Sequence, residues 1–309
     1  MVTVQSISKF DKNQSSVITI GTFDGVHIGH KKILERLINN AKLLEINATV
    51  LTFFPHPRMV LQQDSNIKLL NTIEEKVKIL EKTGLDYLII HPFTKEFSRL
   101  SAIEFVRDVL VNKLKIKSII IGYDHRFGRN RNADINDLRN FGFTFDFKVE
   151  EITAQEIDDV SVSSTKIRKA LESGKIGTAN KYLGYAYMLT GVVKKGKGLG
   201  RQLNFPTANL YIEESYKLIP KNGVYIVKSR LGSKIVFGMM NIGFNPTVNG
   251  TEQSIEIHFL NFEANLYGQK IQVDILERIR DEQKFNSVDD LKIQLTKDQE
   301  IATGIISKL

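Results

Sequence analysis

The sequence predicts an α/β domain built on a parallel sheet, followed by a small β-barrel and a C-terminal helix. Three observations carry the prediction. Apolar, β-branched runs alternate with amphipathic stretches from residue 17 to about 149. After about residue 183 the texture changes to short β-like runs punctuated by glycine, and residues 288–305 return to a helical period. Alternation of strands with helices implies parallel strands covered on both faces, whereas many short strands separated by turn residues imply a small closed sheet. The expected division is 1–183 and 184–309.

Taken in order, Val17-Ile18-Thr19-Ile20 is a short apolar run and is expected as a buried strand. Ile33, Leu34, Leu37, Ile38, Leu43 and Leu44 then recur at helical spacing. Further strands are expected at 48–53, 87–90, 118–121 and 141–149, with helices at 73–82 and 101–114. Residues 164–183 read as helical segments broken at Ser173-Gly174. In the second half, strands are expected at 187–193, 223–229, 234–240, 254–260 and 270–275. Leu291, Leu295 and the run from Ile301 to Ile305 share one helix face, which Ser287 caps.

A chain of 309 residues, 42% apolar and 25% charged, is long enough for two separate cores. It has no cysteine, which excludes disulfides, thiolate metal sites and a cysteine nucleophile together and fits a reducing cytoplasm. No signal peptide is expected at the start, and no apolar run approaches the ~18 residues of a membrane helix. The net charge of +8 invites a nucleic-acid reading. Lys and Arg are interleaved with acids, however, as in Glu74-Glu75-Lys76-Val77-Lys78 and Glu277-Arg278-Ile279-Arg280-Asp281-Glu282, the usual pattern of a solvated face. The expectation is a soluble cytoplasmic protein that meets small phosphorylated molecules, with no nucleic acid, membrane or obligate protein partner.

Gly21-Thr22-Phe23-Asp24-Gly25-Val26-His27-Ile28-Gly29-His30 joins the first strand to its helix. At such a turn unsatisfied backbone N–H groups and the positive end of the helix dipole point at one place, and glycine lets an anion approach the backbone. His27 and His30 lie on the same side of the first helical turn. The combination suits a nucleoside triphosphate and adenylyl transfer, in which positioning and electrostatics do most of the work without a covalent nucleophile. Helix capping is the competing reading of the histidines. Val162-Ser163-Ser164-Thr165-Lys166-Ile167-Arg168 sets hydroxyls at a second helix start with cations behind, either a phosphate clamp or an ordinary cap.

The stretch from Gly21 to His30 resembles the signature of the flavin-synthesising nucleotidyltransferases, the bifunctional bacterial riboflavin kinase/FMN adenylyltransferase family. The resemblance implies a Rossmann-like domain that binds ATP through Gly21, Phe23, Asp24, Gly25, His27 and His30. Residues 163–168 match the family's Ser-Ser-Thr-x-Ile-Arg, implying that Ser164, Thr165 and Arg168 hold ATP phosphates. Phe53-Phe54-Pro55-His56-Pro57 is similar to a family segment that borders the pocket, which makes Pro55 and Pro57 candidates on the FMN side. Gly122-Tyr123-Asp124-His125-Arg126-Phe127-Gly128 matches at Asp124, Phe127 and Gly128, with His125 where the family usually has Phe.

In the second half, Gly191-Val192-Val193-Lys194-Lys195-Gly196-Lys197-Gly198 nearly satisfies a P-loop, but Gly198 stands where Ser or Thr would ligate magnesium. A glycine- and lysine-rich hairpin can still wrap phosphates with backbone N–H groups. Next comes Gly200-Arg201-Gln202-Leu203-Asn204-Phe205-Pro206-Thr207-Ala208-Asn209. If extended, it turns Thr207 and Asn209 to one side, as magnesium and phosphate ligands or as a plain polar strand face. It resembles the riboflavin kinase signature, with Asn204 replacing a glycine and Lys195 where His is common. The resemblance implies a riboflavin-kinase-type barrel with ATP at Gly196, Gly198, Gly200, Thr207 and Asn209, the last two holding Mg2+.

Phosphorylating a primary alcohol requires a base. In Ser254-Ile255-Glu256-Ile257-His258-Phe259, alternation puts Glu256 and His258 on one polar face. Likeness to riboflavin kinases, continued in Leu266-Tyr267-Gly268, implies that Glu256 is the base. The run Ile279-Arg280-Asp281-Glu282-Gln283-Lys284-Phe285 implies flavin contact at Arg280, Asp281 and Phe285. Together these resemblances imply FMN made from riboflavin and ATP in one half, and FAD plus pyrophosphate made from FMN and a second ATP in the other. Two alternatives remain at this stage: a nucleotidyltransferase for another phosphorylated acceptor with a regulatory barrel, and a flavin- or RNA-binding sensor without turnover.

Overall fold

A computed structural model describes residues 1–10, 15–62, 66–123, 125–153, 162–196, 200, 203–247 and 250–308. The chain forms two compact units, Met1–Ser164 and Thr165–Leu309.

In the first unit β1 (Val2–Val4), β2 (Ser16–Ile20), β3 (Asn47–Phe53), β4 (Tyr87–His91), β5 (Ile116–Gly122) and β6 (Lys148–Ile152) make one parallel sheet, ordered β1-β4-β3-β2-β5-β6. The intervening helices are α1 (Ile28–Leu43), α2 (Pro57–Leu61), α3 (Ile73–Leu80), α4 (Ala102–Glu104) and α5 (Ile135–Phe145). Ile18, Leu51, Ile119 and Ile121 enter one core, whereas Val17, Val50 and Ile120 enter another. Side chains alternate across a strand, so uninterrupted apolar runs are what a sheet covered on both faces requires. Strand order reverses between β2 and β5. The crevice beyond the carboxyl ends of these two strands is the switch point at which open α/β sheets bind ligands.

One expectation fails here and a second holds only in part. Residues 141–149 are not one strand: α5 runs to Phe145, and β6 begins at Lys148. Phe141, Phe143 and Phe145 simulate a period of two, but Asp134 and Asp137 form a capping box that starts a helix, leaving Phe143 94% exposed. The helix expected at 101–114 starts as α4 and then widens over Phe105–Val111, where Asn112 N–H donates to Arg107 O at 2.9 Å and Leu114 N–H to Val109 O at 3.0 Å. These five-residue steps define a π-helical segment.

The second unit begins with the body of α6 (Ser164–Glu172), followed by α7 (Ile176–Leu183). The break between them is at Gly174, whose φ of +76° suits glycine. β7 (Tyr187–Lys194), β8 (Ala208–Tyr211), β9 (Gly223–Leu231), β10 (Lys234–Thr247), β11 (Gly250–Phe259) and β12 (Lys270–Arg280) close into an antiparallel barrel ordered β10-β11-β8-β7-β12-β9. α8 (Val288–Ile306) is capped by Ser287, whose Oγ accepts the Asp290 N–H. Leu291, Leu295 and Ile305 of this helix pack with Leu203, Phe205, Ile226 and Met239.

Candidate functional sites

The turn leaving β2 is held from several sides. Gly21 N–H donates to Leu51 O at 3.1 Å. The Thr22 carbonyl accepts both Thr52 Oγ1 at 3.2 Å and Lys76 Nζ at 2.7 Å. Asp24 Oδ1 accepts Leu70 N–H at 2.9 Å, and Asp24 O accepts the Ser164 hydroxyl at 2.8 Å. Thus Ser164 meets the glycine turn although 140 residues separate it from Asp24. Phe23 and Val26 have φ of +45° and +37°, and Gly25 has +88°. For the two side-chain-bearing residues this region is costly, and such strain persists where the surroundings impose it, often at functional sites.

His27 and His30 stack with ring centroids 3.7 Å apart and planes at 16°. Phe23 packs on His30 at 4.9 Å. The capping reading holds for His27, which is the N-cap of α1 and whose Nδ1 accepts His30 N–H at 3.3 Å. Burial lowers the His27 pKa to about 4. His30 is pushed well below its ordinary value, first by burial and then by the charges of His27 and Lys76. Both rings are therefore neutral at pH 7. His30 Nδ1 is buried without a partner. Thr165 is exposed and Arg168 half-buried on the first turns of α6.

Sequence reasoning misplaced one member of this site. Glu75 and Lys76, read as part of a solvated charge run, are buried at 0% and 4% exposure. Thr72 and Glu75 make a reciprocal capping box, with Thr72 N–H to Glu75 Oε2 at 3.0 Å and Glu75 N–H to Thr72 Oγ1 at 3.2 Å. The Thr-x-x-Glu spacing was the available signal. It fixes Glu75 at the third helical position, and Lys76 then points inward to Thr22.

Pro57 is the first residue of α2, and the His56 ring caps that helix by accepting Arg58 N–H at 3.1 Å. Pro55 is exposed. After β5, Phe127 pairs with Ala133 and lies in the core against Phe105. Gly128 has φ +72°, and a Cβ there would lie 2.9 Å from the Ala102 backbone, so its place in the motif has a steric cause. Asp124 and Gly198 lie outside the described residues.

In the barrel Asn209 of β8 lies opposite Glu256 of β11 and Lys194 of β7. Thr207 Oγ1 donates to Glu256 Oε2 at 3.3 Å, and His258 Nδ1 lies 2.9 Å from Pro206 O. Ile255, Ile257 and Phe259 are buried between the half-buried Glu256 and His258, as alternation requires. A Cβ on Gly196 would fall 2.3 Å from Asn209 Nδ2, and one on Gly200 would fall 2.3 Å from Phe205 O. Gly196 thus admits the Asn209 side chain of β8, and Gly200 admits the Phe205 carbonyl. Asn204 has φ +65°, within the left-handed region that asparagine tolerates.

Arg280, Asp281 and Phe285 occupy the end of β12 and the segment beyond. Arg280 Nε donates to Asp298 at 2.9 and 3.1 Å and Nη2 at 2.7 Å, while its guanidinium lies 5.9 Å from the Phe285 ring. Asp281 is paired with Arg278 at 2.6 Å and Lys221 at 2.8 Å, which hold its carboxyl down to about 2.

A switch-point turn carrying paired imidazoles and a barrel edge carrying a hydroxyl, an amide and a carboxylate define a two-domain group-transfer enzyme. The FAD synthetase family model matches residues 9–166 and the riboflavin kinase model residues 183–306. The bifunctional riboflavin kinase/FMN adenylyltransferase of Buchnera aphidicola subsp. Schizaphis graminum is 40% identical over 94% of this chain and 93% of its own. Enzymes of the same name from Haemophilus influenzae and Escherichia coli K12 are 38% and 36% identical, over 95% and 93% of this chain and 95% and 91% of theirs. A crystal structure named as a macrolide-efflux protein from Streptococcus pneumoniae is 30% identical and superposes with a TM-score of 0.88 over 98% of both chains. Among the described residues no helix is long and apolar enough to cross a membrane. The chain belongs to the bifunctional riboflavin kinase/FMN adenylyltransferase family. It phosphorylates riboflavin to FMN and adenylylates FMN to FAD.

Proposed function

We propose that each step consumes ATP in its own site, adenylyl transfer at the turn after β2 and phosphoryl transfer along the β8–β11 seam. One observation carries the reading: His27 stacks on His30 in the first unit, whereas Thr207 pairs with Glu256 in the second.

In adenylyl transfer an oxygen of the FMN phosphate forms a bond to the α-phosphorus of ATP. The bond from that phosphorus to the bridging oxygen breaks, and its electrons leave with pyrophosphate. Because His27 Nδ1 accepts a backbone N–H, its neutral ring carries the proton on Nε2, where it can donate to a phosphate oxygen. The N-terminus of α1 adds oriented N–H groups, and Gly21, Phe23, Asp24 and Gly25 shape the approach. The resemblance assigns Ser164, Thr165 and Arg168 to the ATP phosphates, and Ser164 meets the turn through the Asp24 carbonyl. The resemblance assigns the flavin side to Pro55, Pro57, Phe127 and Gly128.

In phosphoryl transfer Glu256 takes the proton of the riboflavin primary alcohol as its oxygen bonds to the γ-phosphorus, and ADP departs. Gly196 and Gly200 let backbone N–H groups approach the phosphates. Thr207 and Asn209 offer hard oxygen donors that fit Mg2+, and the Gly196 backbone leaves the Asn209 amide clear. These two residues would hold the ion, which when bound neutralises phosphate charge. Arg280, Asp281 and Phe285 line the flavin side.

The functional division is at 183/184, and the enzyme works in the cytoplasm on small molecules without nucleic acid, membrane or an obligate partner. Absence of cysteine and the interleaving of Lys and Arg with acids along the sequence support this. Product analysis tests the assignment. Glu256→Ala abolishes FMN formation and spares conversion of FMN to FAD, and His30→Ala does the reverse. Loss of both activities in each folded variant would contradict two independent sites.

A further inference from the structure

Lys76 is buried at 4% exposure at the heart of the first unit, an arrangement seldom kept without a purpose. Its Nζ donates to the Thr22 carbonyl at 2.7 Å, so α3 grips the middle of the glycine turn. Asp24 faces it with opposite charge, while His30, with the His27 ring stacked on it, feels its positive charge. Among the described residues the charged and titratable groups acting on the pair are Asp24 from the turn, His27 and His30 from α1, and Lys76 from α3. Because the ammonium is out of water, its field at His30 is weakly screened.

We infer that Lys76 is a positioning residue for adenylyl transfer, fixing the Thr22 carbonyl and thereby the turn that leads to His30. Its charge adds to burial, the larger cause, in keeping His30 an uncharged imidazole. The inference rests on the reading that the histidine pair serves that reaction. A neutral His30 retains one nitrogen as a donor and one as an acceptor, so its tautomer can follow the ligand; protonation would fix both nitrogens as donors. Burial lowers the Lys76 pKa to about 8, against the opposing pull of Asp24. The charge is therefore present at neutral pH and lost in mildly alkaline solution.

The test uses the full chain; kinase activity reports the barrel, and the urea midpoint of the first unit reports folding of the unit that carries Lys76. Lys76→Met is expected to lower kcat for FMN adenylylation on the order of tenfold to a hundredfold, as displacement of a preorganised turn does. Riboflavin phosphorylation should be unchanged. In that variant the acid limb of the adenylylation pH profile should move to higher pH, because His30 protonates more readily once the neighbouring charge is gone. Lys76→Arg keeps the charge and should keep the acid limb where it is in the parent enzyme, even if kcat falls. An unaltered kcat in Lys76→Met, or a lower kcat with an unmoved acid limb, would overturn the inference. His30→Ala separates the two levels: full adenylylation in that variant would refute the histidine reading itself, whatever Lys76 does.

Discussion

Replacement of Gly196 by alanine tests the kinase edge most directly. The added methyl would stand 2.3 Å from Asn209 Nδ2, 2.7 Å from Cγ and 2.8 Å from Oδ1, whereas ordinary contact begins at 3.4 Å. Gly196 is not among the glycines of positive φ, so alanine brings no strain of its own to the backbone there. The clash is met by the amide of Asn209, a movable side chain whose displacement is cheap for the fold. It must retreat by about 1 Å, and a misplacement of that size costs on the order of 10²-fold in rate. Gly196→Ala should therefore lose about that factor in kcat for FMN formation, with an unfolding free energy changed by less than about 1 kcal/mol. Steady-state FMN formation gives the rate, and FAD formation from supplied FMN by the same preparation is the control. Parent-like kinase turnover would show that the Asn209 amide does not act where the reasoning puts it.

Two further predictions concern stability. The His27 pKa falls from 6.5 to about 4 on folding, so between these values the unfolded chain binds more protons than the native one. Stability from this group is complete above 6.5 and is lost as pH falls toward 4, by about 3 kcal/mol; the urea midpoint of the first unit should fall with pH in that window, and less so in His27→Asn. Asp298 is fully buried against Arg280, and Asp298→Ala strands that guanidinium at a cost of about 3–5 kcal/mol. Chemical denaturation followed on the barrel should show the loss, with partial recovery in Arg280→Met/Asp298→Leu; a parent-like midpoint in Asp298→Ala would refute it.

Much of the architecture was legible because the local signals agree with the packing. Val17 to Ile20 is apolar at successive positions because neighbouring residues enter opposite cores. Ile255 and Ile257 alternate with Glu256 because one side of β11 faces the barrel interior. Failure came where two periods coincide, as at Phe141, Phe143 and Phe145, and where an element is short, as with the four residues of β8. Charge was the least faithful guide. Lys76 and Arg280 sit in runs that look solvated, yet one holds the turn and the other the C-terminal helix. Their partners, Thr22 and Asp298, are 54 and 18 residues away, which no local pattern shows.

Asn204 bears on how such a signature drifts. With φ of +65° and its side chain exposed, the position selects for backbone tolerance rather than for any group offered to a substrate. Glycine, aspartate and asparagine all accept this conformation, and single-base codon changes link them in that order. A lineage can therefore wander among the three without reshaping the loop, and spelling a motif differently there carries no message about altered chemistry.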